Sequence, residues 1–175
     1  MEVLHELLPK EAIIGVLMNP SGPGARTATK DLEDAARGIG RRLVVRTASR
    51  AEDLEPTFRA FRDDGATGIL LIDDPFFGTQ RGPIAILAEN FRMPLIGSQR
   101  DWAVIGALMG YGPDLRDGYR QCGNYAGQIL RGTKPADLPV VQAPRIALVI
   151  NLKTAKALGV IVPPTLLARA DEVIE

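Results

Sequence analysis

Short apolar stretches alternate along this chain with longer amphipathic ones, and this alternation limits the possible folds more than any other feature. Residues 68–72, for example, are wholly apolar and end abruptly at Asp73-Asp74. Parallel strands that are covered on both faces are nearly continuously hydrophobic, and crossover helices join them. The repeat therefore predicts a parallel sheet with helices on both faces. The predicted strands are residues 12–18, 43–48, 68–72, 93–97 and 107–111.

The helices between these strands complete five strand–helix units. They are predicted over residues 25–38, 49–64, 81–91, 100–105 and 114–131. The fold class is therefore α/β: a Rossmann-like three-layer α/β/α sandwich with a mostly parallel sheet, in the flavodoxin-like strand order 2-1-3-4-5. That order reverses between strands one and three, which is where such sheets bind ligands.

The composition excludes several classes of protein. With 175 residues, 46% hydrophobic and 24% charged, the chain suits one domain with an ordinary core. Lys plus Arg equals Asp plus Glu at 21 each, whereas a nucleic-acid binder would be expected to show a basic excess. No apolar run approaches the roughly 20 residues of a transmembrane helix. We expect no nucleic-acid partner.

The residues needed for metal binding or catalysis are scarce. One cysteine and one histidine argue against a zinc site within one chain. No phosphate-binding loop or nucleophile elbow is present, and alternation places the side chains of Asp73 and Asp74 on opposite sides of a strand end. We therefore expect no cofactor, no metal and no enzymatic activity.

The character of the chain changes after residue 132. Residues 133–144 contain three prolines and are predicted to be an extended linker. A sixth strand is predicted at residues 145–150, followed by helices at 152–158 and 166–173. The expected organisation is a Rossmann-like ligand-binding lobe over residues 1–132, then a linker, a strand and C-terminal helices over residues 133–175.

Polar residues follow the first and third predicted strands, whose loops should flank one crevice. Asn19, Ser21 and Gly22 open the first of these helices, where free backbone N–H groups suit an anion. Asp73 and Asp74 follow the third strand, where a carboxylate can pair with an ammonium group. The alternative for Asp74 is a turn-capping aspartate before proline.

Three further candidates follow the fourth and fifth predicted strands. Ser98, Gln99 and Tyr111 can donate hydrogen bonds into the same crevice. Cys122, by contrast, lies on the long helix at helical spacing from Tyr119 and Ile129, which predicts a core position.

Several motifs together resemble a known family. Asn19-Pro20 follows the first strand and DPFF occupies residues 74–77. LMGYGPDL at 108–115 and GTKPADLPV at 132–140 come next, and LVINLKTAKALG at 148–159 with ADEVI at 170–174 is the most specific. The chain resembles the ABC transporter substrate-binding proteins of the tryptophan/tyrosine-binding-protein-like group, which have the type I periplasmic binding fold.

The resemblance implies both a fold and a function. Family members have two Rossmann-like lobes that clamp a solute, and this chain is similar to the second lobe plus the strand that crosses the hinge. It implies a half of the solute-binding component of an ABC-type importer, with a small amino-acid-like solute and an ABC permease as partners. A periplasmic or cell-envelope location follows from the resemblance. Because the sequence begins without a signal peptide, the location would be cytoplasmic if this is the natural full-length product.

Two other classes stay open at this point. A phospho-receiver or sensory flavodoxin-like domain has the same strand order, although Asn19 and Tyr111 leave its acidic pocket incomplete. A module that only oligomerises is the third class. A single lobe with an apolar tail has reason to self-associate, so we expect a homo-oligomer, a dimer in which the tails could exchange.

Overall fold

The computed structural model describes residues 2–9, 11–22, 25–141 and 145–175, and a seven-stranded sheet forms the centre of this part of the chain. The strands are β1 (Ile13–Met18), β2 (Arg42–Thr47), β3 (Ala66–Leu71), β4 (Leu95–Gly97), β5 (Met109–Pro113), β6 (Ile146–Asn151) and β7 (Glu172–Ile174). The first five are parallel in the order β2-β1-β3-β4-β5, which confirms the predicted order.

Helices cover both faces of the sheet. Within the described residues they are α1 (Glu2–Leu7), α2 (Ala25–Gly38), α3 (Ala51–Asp63), α4 (Pro75–Thr79), α5 (Arg81–Asn90), α6 (Arg100–Val104), α7 (Leu115–Leu130), α8 (Leu152–Leu158) and α9 (Pro164–Arg169), with a 3₁₀ turn at Pro135–Asp137. The mostly parallel α/β sandwich is thus as predicted. The short helix α4 is an addition to the predicted elements, and Asp74 caps its first turn.

The core lies in two layers, one on each face of the sheet. Helices α3 to α6 bury large aromatic side chains on one face, including Phe58, Phe61 and Trp102. Helices α1, α8 and α9 enclose the second layer, which includes Met109 and Leu166. Helices on both faces keep β1 and β3 almost wholly buried, which explains their continuous hydrophobicity.

The C-terminal residues add two strands to the sheet, and both run antiparallel to the first five. Strand β6 pairs antiparallel with β5, and β7 pairs parallel with β6. The predicted helix at 166–173 is wrong, because α9 ends at Arg169 and the chain becomes extended. The free edge of β6 explains the difference: the backbone N–H of Asp171 donates to the Leu148 carbonyl, and β-branched Val173 then pairs with Ile150. The boundary at residue 132 stays a prediction.

Helix α7 has the predicted limits but not the predicted surroundings. The Asp114 side chain accepts the backbone N–H of Arg116 at 3.0 Å and so caps the first turn. No residue of α7 is buried, however, and Cys122 is exposed, so its predicted core position is wrong. The helix follows β5 and precedes β6 in the chain, and its apolar side chains Tyr119, Ile129 and Leu130 are exposed.

Candidate functional site

The loops that follow β1 and β3 contact each other at the carboxyl edge of the sheet. Asn19 Nδ2 donates a 3.0 Å hydrogen bond to Asp74 Oδ1, and the backbone N–H of Ser21 donates to Asn19 Oδ1 at 3.1 Å. These contacts follow from the strand order, because β1 and β3 are neighbours in the sheet. Side-chain hydrogen bonds therefore join the two loops that were predicted to flank one crevice.

The Asp74 side chain is hydrogen-bonded within the protein. Its Oδ1 also accepts the backbone N–H of Phe76 at 2.9 Å, which caps α4. Its Oδ2 lies 2.6 Å from the point where a side chain at Gly22 would begin, so residue 22 has room only for glycine. Asp74 is only 9% exposed. The structure thus supports the turn-capping alternative for Asp74 and leaves Asp73 as the exposed carboxylate of the pair.

A chain of polar side chains runs from Asp73 along the same edge. Gln99 Nε2 donates to Asp73 Oδ2 at 3.3 Å, and Gln99 Oε1 accepts a 2.7 Å hydrogen bond from Arg81 Nη2. The Arg81 side chain is 30% exposed, and its Nη1 lies 3.6 Å from Asp101 Oδ2. One amide therefore connects an exposed carboxylate to a partly buried guanidinium.

Three buried side-chain polar atoms at this end of the sheet lack a hydrogen-bond partner in the described structure. Among the residues that the structure describes, the buried side-chain polar atoms without a hydrogen-bond partner are Arg81 Nε, Ser98 Oγ and Trp102 Nε1. An unpaired buried polar group costs about 1–3 kcal/mol, so such groups are rare and require an explanation. Two of them belong to the corner in which Arg81 and Trp102 meet beside the end of β4, and Ser98 is the residue that follows β4.

This corner is held together by close packing. The ring of Trp102 lies against Gly97, the last residue of β4, where even a methyl group would overlap it. The Arg81 guanidinium carbon lies 5.8 Å from the centroid of the Trp102 ring, within the range of a cation–π contact. Ser98 follows Gly97 directly. The corner is thus built from the starts of α5 and α6 and the end of β4.

Tyr111 lies on the same edge but faces the other way. Side chains at Gly110 and Gly112 would point into the backbone of residues 98–100, so those two residues face α6. Because side chains alternate along a strand, Tyr111 projects from the opposite face of the sheet, where it is 41% exposed. The structure therefore brings together Asn19, Ser21, Gly22 and Asp74 in one cluster and Asp73 and Gln99 in another, with Tyr111 outside both. Ser98 precedes Gln99 in the chain, and its buried hydroxyl contacts neither cluster.

The sequence alone does not single out Arg81 as a member of this chain of polar side chains. It is the first residue of α5, and its contact with Gln99, which follows β4, places its guanidinium at the carboxyl edge of the sheet. A second missed contact is the pair formed by Arg100 and Glu172, with two hydrogen bonds of 2.6 Å each. This pair lowers the pKa of Glu172 and ties α6 to β7.

Comparisons with known proteins define the class of this molecule. A family model described as ABC transporter substrate binding protein matches residues 1–174. The chain belongs to this family of substrate-binding proteins. A search of curated proteins found no match.

Solved structures share the fold. A conserved domain protein from Vibrio cholerae is 28% identical, with a TM-score of 0.87 over 98% of this chain and 58% of that one. A domain from Streptococcus pneumoniae in complex with L-Trp is 24% identical, with a TM-score of 0.86 over 99% of this chain and 60% of that one. An open, ligand-free substrate-binding protein with adhesive properties from Clostridium difficile is 21% identical, with a TM-score of 0.72 over 99% and 58%. The chain thus spans about three-fifths of the length of these structures.

No group of three or more His, Cys, Asp and Glu side chains within the described residues is arranged to hold a metal ion. No helix of the described part of the chain has the length and apolar character needed to cross a bilayer.

Proposed function

We propose that this chain is the second-lobe half of the solute-binding component of an ABC-type importer, and that it binds a small amino-acid-like solute without chemical change. The observation that carries the proposal is the chain Asp73–Gln99–Arg81 at the carboxyl edge of the sheet. A zwitterion needs a carboxylate for its ammonium group and a cation for its own carboxylate, and this edge offers one of each. The family match favours this function over the phospho-receiver alternative.

The L-Trp complex of the structure from Streptococcus pneumoniae supports the choice of an amino acid. Because that protein is 24% identical, it supports the class of solute and not tryptophan in particular. Asn19, Ser21, Gly22 and Asp74 are proposed to shape the crevice, since their side chains and backbone fix one another. Asp73, Ser98 and Gln99 are proposed to contact the solute, and Tyr111 would do so only from the opposite face.

A single lobe should bind weakly. Solute-binding folds of two lobes close over the ligand by hinge motion and bury it between two faces, whereas one lobe offers one face. We expect a Kd of about 1 mM for the chain alone, against about 1 μM for a complete clamp. An ABC permease and a periplasmic or cell-envelope location are the partner and place that we propose, as is typical of the family.

We also propose that α7 is the surface through which two copies associate. Tyr119 and Leu130 are 73% and 88% exposed on this helix, and Val140 beyond it is fully exposed. Contiguous exposed apolar residues mark interaction sites, and a chain of zero net charge does not repel its own copies. A two-fold axis would place each apolar face on its equivalent.

Light scattering across a concentration series tests the association. The unchanged chain should approach twice its 18.9 kDa mass at high concentration, and the double variant Tyr119→Glu/Leu130→Glu should stay monomeric. Ile86→Glu is the matched control, since Ile86 is 58% exposed on α5. A monomeric mass for the unchanged chain at every concentration would contradict the dimer.

A thermal-shift screen of amino acids tests the solute. At 10 mM of a ligand with a Kd of about 1 mM, mass action predicts a stabilisation of about 1.4 kcal/mol, or roughly 3–6 °C. Asp73→Asn should abolish the shift. Asp63→Asn, at the exposed end of α3, should leave it unchanged. A panel of amino acids that produces no shift would count against this class of solute.

A further inference from the structure

The motif LVINLKTAKALG at residues 148–159 is the most specific of those that resemble the family, and no part of it belongs to the proposed binding edge. It covers the second half of β6 and all of α8. Two of its polar side chains, Asn151 and Thr154, contact the segment that contains α6. Asn151 is only 5% exposed, so its amide needs partners within the protein.

The Asn151 side chain connects two helices. Its Oδ1 accepts the backbone N–H of Thr154 at 3.0 Å and so caps the first turn of α8. Its Nδ2 donates a 2.9 Å hydrogen bond to the backbone carbonyl of Ala103, which lies on α6. One buried amide therefore fixes α8 and α6 relative to each other.

Two further contacts join the C-terminal residues to the same helix. The Thr154 hydroxyl donates to the carbonyl of Gly106, just beyond the end of α6, at 3.0 Å. Arg100, the first residue of α6, pairs with Glu172 of β7 through two hydrogen bonds of 2.6 Å each. Side chains of α6, α8 and the C-terminal strands thus hold α6 at its start, near its end and just past its end.

Helix α6 depends on such contacts because it is short. It has five residues, and a helix of that length is not stable without tertiary packing. Gln99 is its N-cap residue, and the Gln99 carbonyl accepts the backbone N–H of Trp102 at 3.2 Å. A displacement of α6 would therefore displace Gln99, whose side chain contacts Asp73 and Arg81.

We propose that Asn151 and Thr154 are positioning residues for the carboxyl edge: they hold α6 in place and, through it, the side chain of Gln99. This inference rests on the proposed function, because it treats Gln99 as part of the solute-binding edge. It also gives residues 146–174 a role within the lobe. They support the binding edge as well as extending the sheet.

The first experiment measures the position of α6 without any solute. In ¹⁵N-resolved spectra of the full chain, the side-chain amide of Gln99 is identified by its loss in Gln99→Glu, and the indole N–H belongs to Trp102, the only tryptophan. Asn151→Asp keeps the acceptor that caps α8 and removes the donor to Ala103, so both signals should shift. If the motif served only to cap α8, this variant would leave both signals unchanged.

The second variant removes the other contact and has matched controls. Thr154→Val lacks the hydroxyl but keeps the branched shape, and it should shift the same two signals, whereas Thr154→Ser should leave them in place. Thr165→Val is a control, because the Thr165 hydroxyl donates to Glu6 of α1 at 3.4 Å. If Asn151→Asp does not fold, the comparison of Thr154→Val with Thr154→Ser decides. Unshifted signals in the folded variants, or equal shifts in Thr165→Val, would overturn the proposal.

The second experiment measures affinity for the amino acid that gives the largest shift in the thermal-shift panel. Thr154→Val should raise its Kd about 3- to 10-fold, and Thr154→Ser and Thr165→Val should leave it unchanged. If an amino acid binds and Thr154→Val does not alter its Kd, the positioning role is wrong while the proposed function stands. If no amino acid binds, the proposed function fails, and the signals of Gln99 and Trp102 alone decide whether Asn151 and Thr154 hold α6.

Discussion

Helices α3 and α7 are similar in sequence pattern and opposite in environment. Both are amphipathic, with 13 and 16 residues. Helix α3 buries Phe58 and Phe61 against the sheet, whereas α7 buries no side chain. An amphipathic pattern therefore shows that a helix has a partner, but it does not show that the partner belongs to the same chain. About two-fifths of each of these solved structures lies outside the part that this chain covers.

Truncation of an apolar side chain should give the largest difference in unfolding free energy between α3 and α7. Phe61→Ala should lower the free energy of unfolding by about 3–5 kcal/mol, because it removes a fully buried ring that lies against Gly15. Leu130→Ala in α7 should cost less than about 0.5 kcal/mol in the monomer, because the side chain is 88% exposed. Urea unfolding at low protein concentration measures both. Equal losses would show that α7 is packed after all.

Adding a methyl group at a glycine should give a smaller difference in stability between the packed core and α7. Gly97→Ala should destabilise the chain by about 1–3 kcal/mol, because the new methyl group would overlap Trp102. Gly123→Ala in α7 should stabilise by about 0.5–1 kcal/mol, because nothing lies within 4 Å of the new atom and alanine favours helix. Thermal unfolding of the two variants should move in opposite directions. A loss in both would contradict the open environment of α7.

The side-chain cap of α4 should contribute less to the free energy of unfolding than the core contacts above. Asp74→Ala removes the acceptor for both Asn19 and the Phe76 N–H, so we expect a loss of about 1–2 kcal/mol. Asp73→Ala should stay within about 0.5 kcal/mol, because its carboxylate is exposed. Urea unfolding distinguishes the two neighbours. A larger loss for Asp73→Ala would reverse their assigned roles.

The smallest effect is a dependence on pH at the C-terminal edge of the sheet. The Arg145 side chain and the Leu148 N–H lower the pKa of Asp171, and Arg100 lowers the pKa of Glu172. Because both values lie below the ordinary 3.8 and 4.5, the stabilisation is complete above about pH 5. It is lost as the pH falls through the lowered values.

Hydrogen exchange measures this loss strand by strand. Amides of β7 should lose protection on acidification before amides of the buried strand β1 do. In the double variant Asp171→Asn/Glu172→Gln, the protection of β7 should no longer depend on pH between 3 and 5, a range set by the two ordinary values. Simultaneous loss in β1 and β7 of the unchanged chain would show that the ion pairs do not control this edge.

Local patterns in the sequence were sufficient for most of the fold. The apolar runs and their crossovers gave the order of five strands, and Asp114 marked the start of α7 correctly. The predicted helix at 166–173 failed at its end, because β7 depends on a free strand edge that no local pattern reveals. The residues at which a helix or strand begins and ends are set by local sequence, whereas the strands that it pairs with are set by the whole sheet.

The site was predictable to a smaller extent. The strand order predicted that the loops of Asn19 and Asp74 would meet, and they do. The turn-capping alternative for Asp74 was open from the sequence, but the helix α4 that this residue caps was not predicted. The importance of Arg81 depends on Trp102 and Gln99, which are distant in sequence and adjacent only in the fold.

The close contact of Gly110 and Gly112 with residues 98–100 has a mechanical consequence. In the described chain, α7 is joined to the rest of the molecule through β5 on one side and, beyond the 3₁₀ turn, through β6 on the other. A rotation of α7 about this pair of strands would press on the peptide groups that carry Ser98 and Gln99. We therefore expect a partner that docks on α7 and rotates it to displace the edge at which we propose that the solute binds, because no free space separates the two glycines from residues 98–100.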